Sequence, residues 1–183
     1  MSASPSPAVI PEQTTDRLLL RGIQADDVDA YVALFSDPDV IRYLPLDGPM
    51  TREQLDGAVE RNHGHWSRHG YGVWTMCLRE SGEMIGHCGL RFLEDVGETE
   101  LLYAIATAHW NQGLTTEAAR ASLEFGFRRG GLDRVIALAV PDNRASTRVM
   151  EKVGMTFQRE QDIFGLHCAR YGVSAAQWRA AGG

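Results

Sequence analysis

The chain has 183 residues, of which 44% are hydrophobic, and this favours one globular domain with a core of ordinary size. Its net charge of -6 argues against nucleic acid or an anionic membrane as the main partner. The three cysteines form no Cys-x-x-Cys pair and are odd in number, which excludes a disulfide framework and a zinc cluster and favours a cytoplasmic protein.

The first third of the sequence predicts a strand followed by helices. Residues 1–14 are rich in Ser and Pro and lack the apolar stretch of a signal peptide, so we expect a flexible tail there. Residues 17–21 are typical of a strand, whereas the apolar residues of 28–35 recur at helical spacing. Pro38 opens a second short helical segment, and a capping-box pattern at 51–54 starts a longer helix.

The middle of the chain changes from helical to strand-like patterning. Strands are predicted at 71–78, 84–92 and 99–106, with turns at 81–83 and Gly97 between them. Three neighbouring strands on such short turns predict an antiparallel meander.

The last third alternates between helices and strands. Its predicted elements are a helix at 116–129 that Gly130 and Gly131 end, a strand at 134–140, a helix at 146–153 and two final strands around Phe157 and Tyr171. The strand at 134–140 is continuously apolar, as expected for a strand that is buried on both faces.

These elements, in the order β-α-α-β-β-β-α-β-α-β-β, predict one α/β domain of the α+β type. We expect a mixed, mostly antiparallel twisted sheet of about seven strands with about four flanking helices. The domain is predicted to span residues 15–178, between the tail at 1–14 and a C-terminal tail at 179–183.

The most informative stretch is 110–118, which reads Trp-Asn-Gln-Gly-Leu-Thr-Thr-Glu-Ala and lies between a predicted strand and a predicted helix. A glycine at such a turn lets the backbone approach a ligand closely. The first N–H groups of the helix and its dipole together favour an anion such as a pyrophosphate. An ordinary strand-to-helix turn with a threonine cap explains this stretch alone equally well.

Three other segments carry further motifs: 37–45, 100–105 and 143–155. The last two read Glu-Leu-Leu-Tyr-Ala-Ile and Asn-Arg-Ala-Ser-Thr-Arg-Val-Met-Glu-Lys-Val-Gly-Met. With 110–118 they resemble, in order and spacing, the GNAT superfamily of N-acetyltransferases, and within it the branch that acetylates the N-termini of ribosomal proteins. The resemblance covers about residues 15–178 and implies the GNAT fold.

The sequence departs from the family pattern in the loop and just before it. Asn111 replaces a usual Gly, Leu114 an aromatic residue and Thr115 a small residue; Leu102 stands where Gly is usual. Gln112 supplies no charge where Lys or Arg is common, so backbone N–H groups are expected to carry most of the phosphate binding. Arg148, Arg144 or Arg120 would then supply the positive charge.

The resemblance implies acetyl-CoA as the co-substrate, with no metal, and direct transfer to a primary amine in a ternary complex. The residues that it assigns to cofactor binding are Ile105, Ala106, Gln112, Gly113, Leu114, Thr115, Thr116, Asn143, Ser146 and Arg148. Backbone N–H groups near Ile105 and Ala106 would stabilise the negative charge that the thioester oxygen gains.

Three side chains are candidates for proton transfer. Glu100 is the candidate base for the amine, directly or through a water, although a solvated strand carboxylate is the other interpretation. Ser146 is the candidate acid for the leaving thiolate, although it also fits a helix-capping position. Tyr103 is a second candidate acid, and a core aromatic residue is at least as good an interpretation.

Other functions and partners stay open. A GNAT-like module that holds acetyl-CoA without turnover, as a sensor or scaffold, is the main alternative, and an enzyme for a longer acyl group is another. The expected acceptor is the amine of a protein N-terminus or of a small molecule, and the resemblance favours a homodimer. The histidines at 63, 65 and 69 look like a metal cluster, but solvent exposure or lining of the acceptor groove explains them better. Asp37, Asp39 and Asp47 would attract a cationic acceptor or simply face solvent.

Overall fold

The structure is a computed structural model that describes residues 9–182. Its strands are β1 (Gln13–Thr14), β2 (Leu18–Arg21), β3 (Val73–Leu78), β4 (Met84–Leu93), β5 (Glu98–Ile105), β6 (Arg134–Ala139), β7 (Thr156–Ile163) and β8 (Leu166–Ser174). Its helices are α1 (Val28–Ser36), α2 (Pro38–Ile41), α3 (Arg52–His69), α4 (Leu114–Arg128), α5 (Arg144–Lys152) and α6 (Ala175–Ala180).

The eight strands form one sheet in the order β1-β2-β3-β4-β5-β6-β8-β7. Every neighbouring pair is antiparallel except β5 and β6, which run parallel. The predicted mixed, mostly antiparallel sheet of an α/β domain is therefore confirmed. The structure adds the two-residue strand β1 and the terminal helix α6 to the predicted elements.

Local sequence explains where α3 begins and ends. Thr51 and Gln54 form the predicted capping box, in which each side chain accepts a hydrogen bond from the backbone N–H of the other residue. Gly70 ends the helix with a left-handed φ of 71°, a conformation that costs glycine no steric strain.

The two faces of the sheet carry different helices. Helix α4 packs on one face, where Trp74 on β3 and Leu90 on β4 belong to the main hydrophobic core with Leu123. Helix α1 and the first part of α3 cover the other face, where a second apolar cluster contains Tyr31, Phe35 and Leu55. Near the end of α3, Trp66 joins the main core. The alternation of side chains along β3 and β4 separates these two layers, because successive residues of a strand point to opposite faces.

The ends of the chain differ from the predicted tails. Residues 1–8 and 183 lie outside the described residues, but Gln13 and Thr14 pair with β2 as strand β1. The Trp74 indole N–H donates to the Pro11 carbonyl at 2.8 Å. At the other end, residues 179 and 180 belong to α6, whose Ser174 side chain caps the first turn. The predicted tails therefore extend further than the structure supports: β1 depends on pairing with β2, and α6 on a capping box at Ser174 and Gln177.

None of the helices between residues 9 and 182 is long and apolar enough to cross a membrane.

Candidate active site

The two parallel strands diverge, and this opens the sheet at its centre. Strand β5 pairs with β4 along its whole length, from Glu98 to Ile105, but with β6 only where Glu100 faces Ile136. Beyond Glu100 the β6-facing edge of β5 therefore borders an opening. A groove of about 1340 Å³ runs from this opening to the first turn of α4 on one side and to the α1–α3 layer on the other.

The pairing with β4 determines which N–H groups of β5 face the opening. The N–H of Ala106 donates to the Ile85 carbonyl at 2.8 Å, so it belongs to the ladder with β4. Ladder-bonded residues alternate along an antiparallel strand, and so the N–H groups of Tyr103 and Ile105 point towards β6. The carbonyl of Ile105 faces the same way and accepts the Trp110 indole N–H at 2.9 Å. The predicted donor at Ile105 is therefore available, whereas the one at Ala106 was wrong because its N–H is already bonded.

The loop before α4 adopts the conformation that its glycine predicts. Gly113 stands at the N-cap with a φ of 78° and offers no capping side chain. The N–H groups of Leu114, Thr115 and Thr116 therefore lack intrahelical partners. These three residues line one end of the groove. Asn111 has a φ of 60°, a conformation that Asn tolerates better than most residues, which explains how it replaces a glycine.

Gln112 is not placed as a cofactor ligand. Its side-chain amide donates to the Ala108 carbonyl at 3.1 Å, and the residue does not line the groove. Its carbonyl accepts from Arg17 at 2.8 Å. The predicted contact between Gln112 and the cofactor therefore lacks geometric support in this conformation.

Sequence reasoning missed that Arg17 and Glu117 hold this loop. The Glu117 carboxylate accepts from Thr15 Oγ1 at 2.6 Å, from the Arg17 N–H at 2.9 Å and from Arg17 Nε at 2.7 Å. Arg17 thereby joins the first turn of α4 to the carbonyl of Gln112. No sequence motif predicts the contact between Arg17 and Glu117, because the two residues are 100 positions apart.

Glu100 lies buried at the point where the strands diverge, with 6% of its surface exposed. Burial raises the pKa of its carboxyl group, while Arg91, whose Nη2 lies 2.9 Å away, acts in the opposite direction. Arg91 occupies the position of β4 directly opposite Glu100 and is half exposed in the groove. Its role was not predicted, because only the register of β4 against β5 brings the two residues together.

The structure brings the two candidate acids into contact. The Tyr103 hydroxyl donates to the Ser146 carbonyl at 2.9 Å and lies 3.0 Å from Ser146 Oγ. Burial raises the pKa of Tyr103. The cap of α5 is Asn143, whose side chain accepts the Ser146 N–H at 3.1 Å, so Ser146 lies in the first turn and is not the cap. Both residues line the groove.

Cationic side chains of α5 line the same end of the groove, namely those of Arg144, Arg148 and Lys152. Arg120, which was also considered, donates instead to the Lys152 carbonyl at 3.1 Å and does not line the groove. The groove therefore offers N–H groups along β5 and at α4, and positive charge on α5. This is the donor set that an elongated thioester with phosphate groups requires.

The histidines of α3 have structural roles. His65 Nε2 accepts the Phe92 N–H at 2.9 Å, and its Nδ1 bonds the Tyr71 carbonyl at 2.9 Å. His63 bonds the Ile23 carbonyl. Within residues 9–182, no group of three His, Cys, Asp or Glu residues is arranged to hold a metal ion.

Comparisons with known proteins agree with this arrangement. A family model described as the acetyltransferase (GNAT) domain matches residues 17–156. The uncharacterized N-acetyltransferase YnaD of Bacillus subtilis (strain 168) is 35% identical over 144 residues, which cover 78% of this chain and 81% of that protein. YoaA, an uncharacterized N-acetyltransferase of the same organism, is 32% identical over 153 residues, covering 83% of this chain and 85% of YoaA.

A solved GNAT-family acetyltransferase from Bacillus anthracis shares the fold with a TM-score of 0.79 and 27% identity, covering 91% of this chain and 99% of that one. Both the family model and the relatives extend over most of the chain, including the strands that form the opening. The chain therefore belongs to the GNAT family and is an N-acetyltransferase, an enzyme that moves the acetyl group of acetyl-CoA to an amine.

Proposed function

We propose that this enzyme transfers acetyl from acetyl-CoA directly to a primary amine, either the α-amine of a protein N-terminus or the amine of a small molecule, with Glu100 as the base. The observation that carries the proposal is the buried Glu100 carboxylate at the mouth of the opening between β5 and β6. Both substrates have access to it there, because the groove continues to either side.

The chain offers a separate contact for each part of acetyl-CoA. The free N–H groups at the edge of β5 bind the pantetheine amides, and the first turn of α4 binds the pyrophosphate. Arg144 and Arg148 add positive charge for the remaining phosphate. The N–H of Ile105 stabilises the charge that the thioester oxygen gains in the transition state.

Proton transfer is needed at two points. An α-amine has a pKa of about 7.7–8.0, so about one molecule in ten is neutral at pH 7, whereas only about one lysine side chain in a few thousand is neutral. Glu100 removes the ammonium proton, and the burial that raises its pKa makes it a better base than an exposed carboxylate. Ser146 Oγ, which Tyr103 positions, gives its proton to the departing thiolate, and solvent water returns a proton to the serine oxygen.

The alternative of a non-catalytic acetyl-CoA sensor or scaffold is less favoured. Such a module needs the binding surface of β5 and α4 but has no use for a buried carboxylate or a hydroxyl pair beside it. Glu100, Tyr103 and Ser146 are all present and lie on or next to the groove.

The test is the pH dependence of acetylation by Glu100→Gln. We expect the variant to lower kcat by about 10²-fold or more at pH 7. The difference in kcat between the variant and the wild type should shrink as pH rises, because a larger fraction of the amine is then neutral without a base. In the wild type, activity should fall as pH drops through the raised pKa of Glu100, since the base becomes protonated.

Glu94→Gln is the matched control. Glu94 also lines the groove, but it is exposed and pairs with Arg68. We expect this variant to keep the wild-type rate. An unchanged rate of Glu100→Gln at pH 7 would show that Glu100 is not the base. Acetyl-CoA binding is a separate question, which titration of the protein with the cofactor answers.

A further inference from the structure

The floor of the groove on the α1 side contains a histidine that the reaction scheme does not use. His87 lies on β4 directly opposite Ala104 of β5, next to the row of Gly89 and Leu102 and on the same face as Glu100. Its ring packs beside Tyr31 and Phe35, with centroid distances of 6.0 and 5.8 Å. It therefore forms part of the wall that an incoming acceptor meets.

His87 has no hydrogen-bond partner among the described residues, whereas His63 and His65 of α3 each bond a backbone carbonyl. Among residues 9–182, no hydrogen bond reaches either of its ring nitrogens, and the residue lines the groove. Both ring nitrogens of His65, by comparison, are bonded to backbone groups. Burial lowers the pKa of His87 to about 4, with a smaller contribution from Arg91, so the ring is neutral at physiological pH. A neutral imidazole offers one donor and one acceptor, and both remain available to a ligand or to water in the groove.

The walls around His87 are apolar. Val28, Tyr31, Phe35, Leu44, Leu55 and Val59 all line the groove and belong to, or pack against, the second hydrophobic cluster. Tyr31 and Phe35 are 4% and 7% exposed and Leu44 and Val59 are half-buried, so the surface that they leave to a ligand is small but apolar. Such a surface favours an apolar group on the ligand.

Two exposed carboxylates that line the groove are paired with arginines. Asp39 pairs with Arg42 at 2.9 Å, and Glu94 pairs with Arg68 at 3.3 Å. Asp37, which was a candidate for attracting cations, accepts bonds from the Thr107 hydroxyl at 2.9 Å and from the Asp39 N–H. Glu100 is also paired, with Arg91 at 2.9 Å, but it is buried at the point where the strands diverge, whereas Asp39 and Glu94 are exposed.

We infer that the acceptor is a primary amine on an apolar, preferably aromatic, body, which packs against Tyr31 and Phe35 and hydrogen-bonds His87. This rests on the proposed function, because it identifies the second substrate of the same site. His87 is thus a specificity-determining residue. Two sources offer this chemistry, a peptide whose first residue is aromatic and a small arylalkylamine.

The test compares three acceptors by kcat/KM: tyramine, the dipeptide Phe-Ala with an amidated C-terminus, and spermidine. At least one aromatic amine should exceed spermidine by tenfold or more, and which of the two does so distinguishes the sources. His87→Ala should lower kcat/KM for that amine by tenfold or more, chiefly through KM, and His87→Gln should restore part of it. Acetyl-CoA affinity, measured by calorimetry, should stay unchanged in both variants.

His167→Ala is the matched control, because His167 lies on an exposed hairpin outside the groove lining. A readout without turnover is the His87 ring C–H resonance, which should shift when tyramine is added to the complex with CoA. Preference for spermidine, or His87→Ala with wild-type kinetics, would overturn the inference. A protein that fails to bind acetyl-CoA would instead overturn the proposed function, so the two failures are distinguishable.

Discussion

The imidazole of His65 links α3 to strand β4 and to the segment that precedes β3, and its two hydrogen bonds determine its protonation. The Phe92 N–H can donate only to an unprotonated Nε2, so the proton of His65 resides on Nδ1 and points to the Tyr71 carbonyl. Protonation of the ring would remove the acceptor at Nε2 and leave the Phe92 N–H without a hydrogen-bond partner. Burial first, and His69 second, lower the pKa of His65 accordingly.

We therefore predict that stability falls as the solution is acidified below the ordinary histidine pKa of about 6.5. Below that pKa the unfolded chain binds the proton of His65 more tightly than the folded chain does. The free energy of unfolding therefore decreases as pH decreases. Urea unfolding at pH 7.5 and 5.5 measures the slope. His65→Ala should be less stable at pH 7.5 and should show a smaller loss between the two values; equal slopes in the two proteins would contradict this role.

For individual residues, the sequence predicted roles that belong to a short motif. It did not predict roles that depend on the register between neighbouring strands. Glu100, Ser146 and Tyr103 were predicted from short motifs, and the structure places them on or beside the groove. Arg91 and His87 were not predicted, because a strand residue acquires its neighbours only when β4 is aligned with β5. The donor at Ala106 was wrong for the same reason.

The turn into α4 is the element on which cofactor binding depends most. Gly113 has a φ of 78°, which a β-branched residue adopts only with strain of about 1–2 kcal/mol. We expect Gly113→Val to lose acetyl-CoA affinity by tenfold or more, since relief of that strain moves the N–H groups of the first turn. Quenching of tryptophan fluorescence by acetyl-CoA provides the measurement, because Trp110 lines the groove.

Gly131→Val is the control for this experiment. Gly131 has a φ of 64°, and an added side-chain carbon there would meet nothing within 4 Å. The strain is similar, but the residue lies beyond the other end of α4 and does not line the groove. Both variants should lose similar stability, yet only Gly113→Val should lose affinity; equal affinities would disprove the assignment of the loop.

Element boundaries were predicted best where caps or glycines mark them. The capping box at the start of α3 and the glycine after it are visible in the sequence, and the structure forms both. Strand β1 and the Arg17–Glu117 contact were not predictable from local patterning, because each depends on a partner distant along the chain. Helix α6 was missed although Ser174 and Gln177 form a capping box.

For the whole molecule, the contacts that hold β5 to β6 and β8 near Glu98 matter, because β5 and β6 separate beyond Glu100. Arg170 of β8, which is 3% exposed, contacts both carboxylate oxygens of Glu98 at 2.6 and 2.7 Å and Gln158 at 2.9 Å. Glu98 lies two residues before the position where β5 and β6 pair. This contact therefore joins β5 to β7 and β8 across β6 beside the point of divergence.

We predict that Glu98→Ala lowers the free energy of unfolding by about 3 kcal/mol, because it leaves a buried guanidinium without its counter-charge. Chemical denaturation measures this loss. The matched variant Glu124→Ala removes half of an exposed i,i+4 pair with Arg128 and should cost less than about 0.5 kcal/mol. Equal effects of the two substitutions would show that Arg170 does not depend on Glu98.

We propose that the opening between β5 and β6, together with the first turn of α4, binds acetyl-CoA. Calorimetric titration of the wild-type protein with acetyl-CoA, with ADP as the control ligand, is the decisive experiment. We expect saturable binding at one site per chain and an affinity at least tenfold higher than that for ADP, since the edge of β5 contacts only the pantetheine part. Absence of binding at millimolar acetyl-CoA, or equal affinity for both ligands, would contradict it.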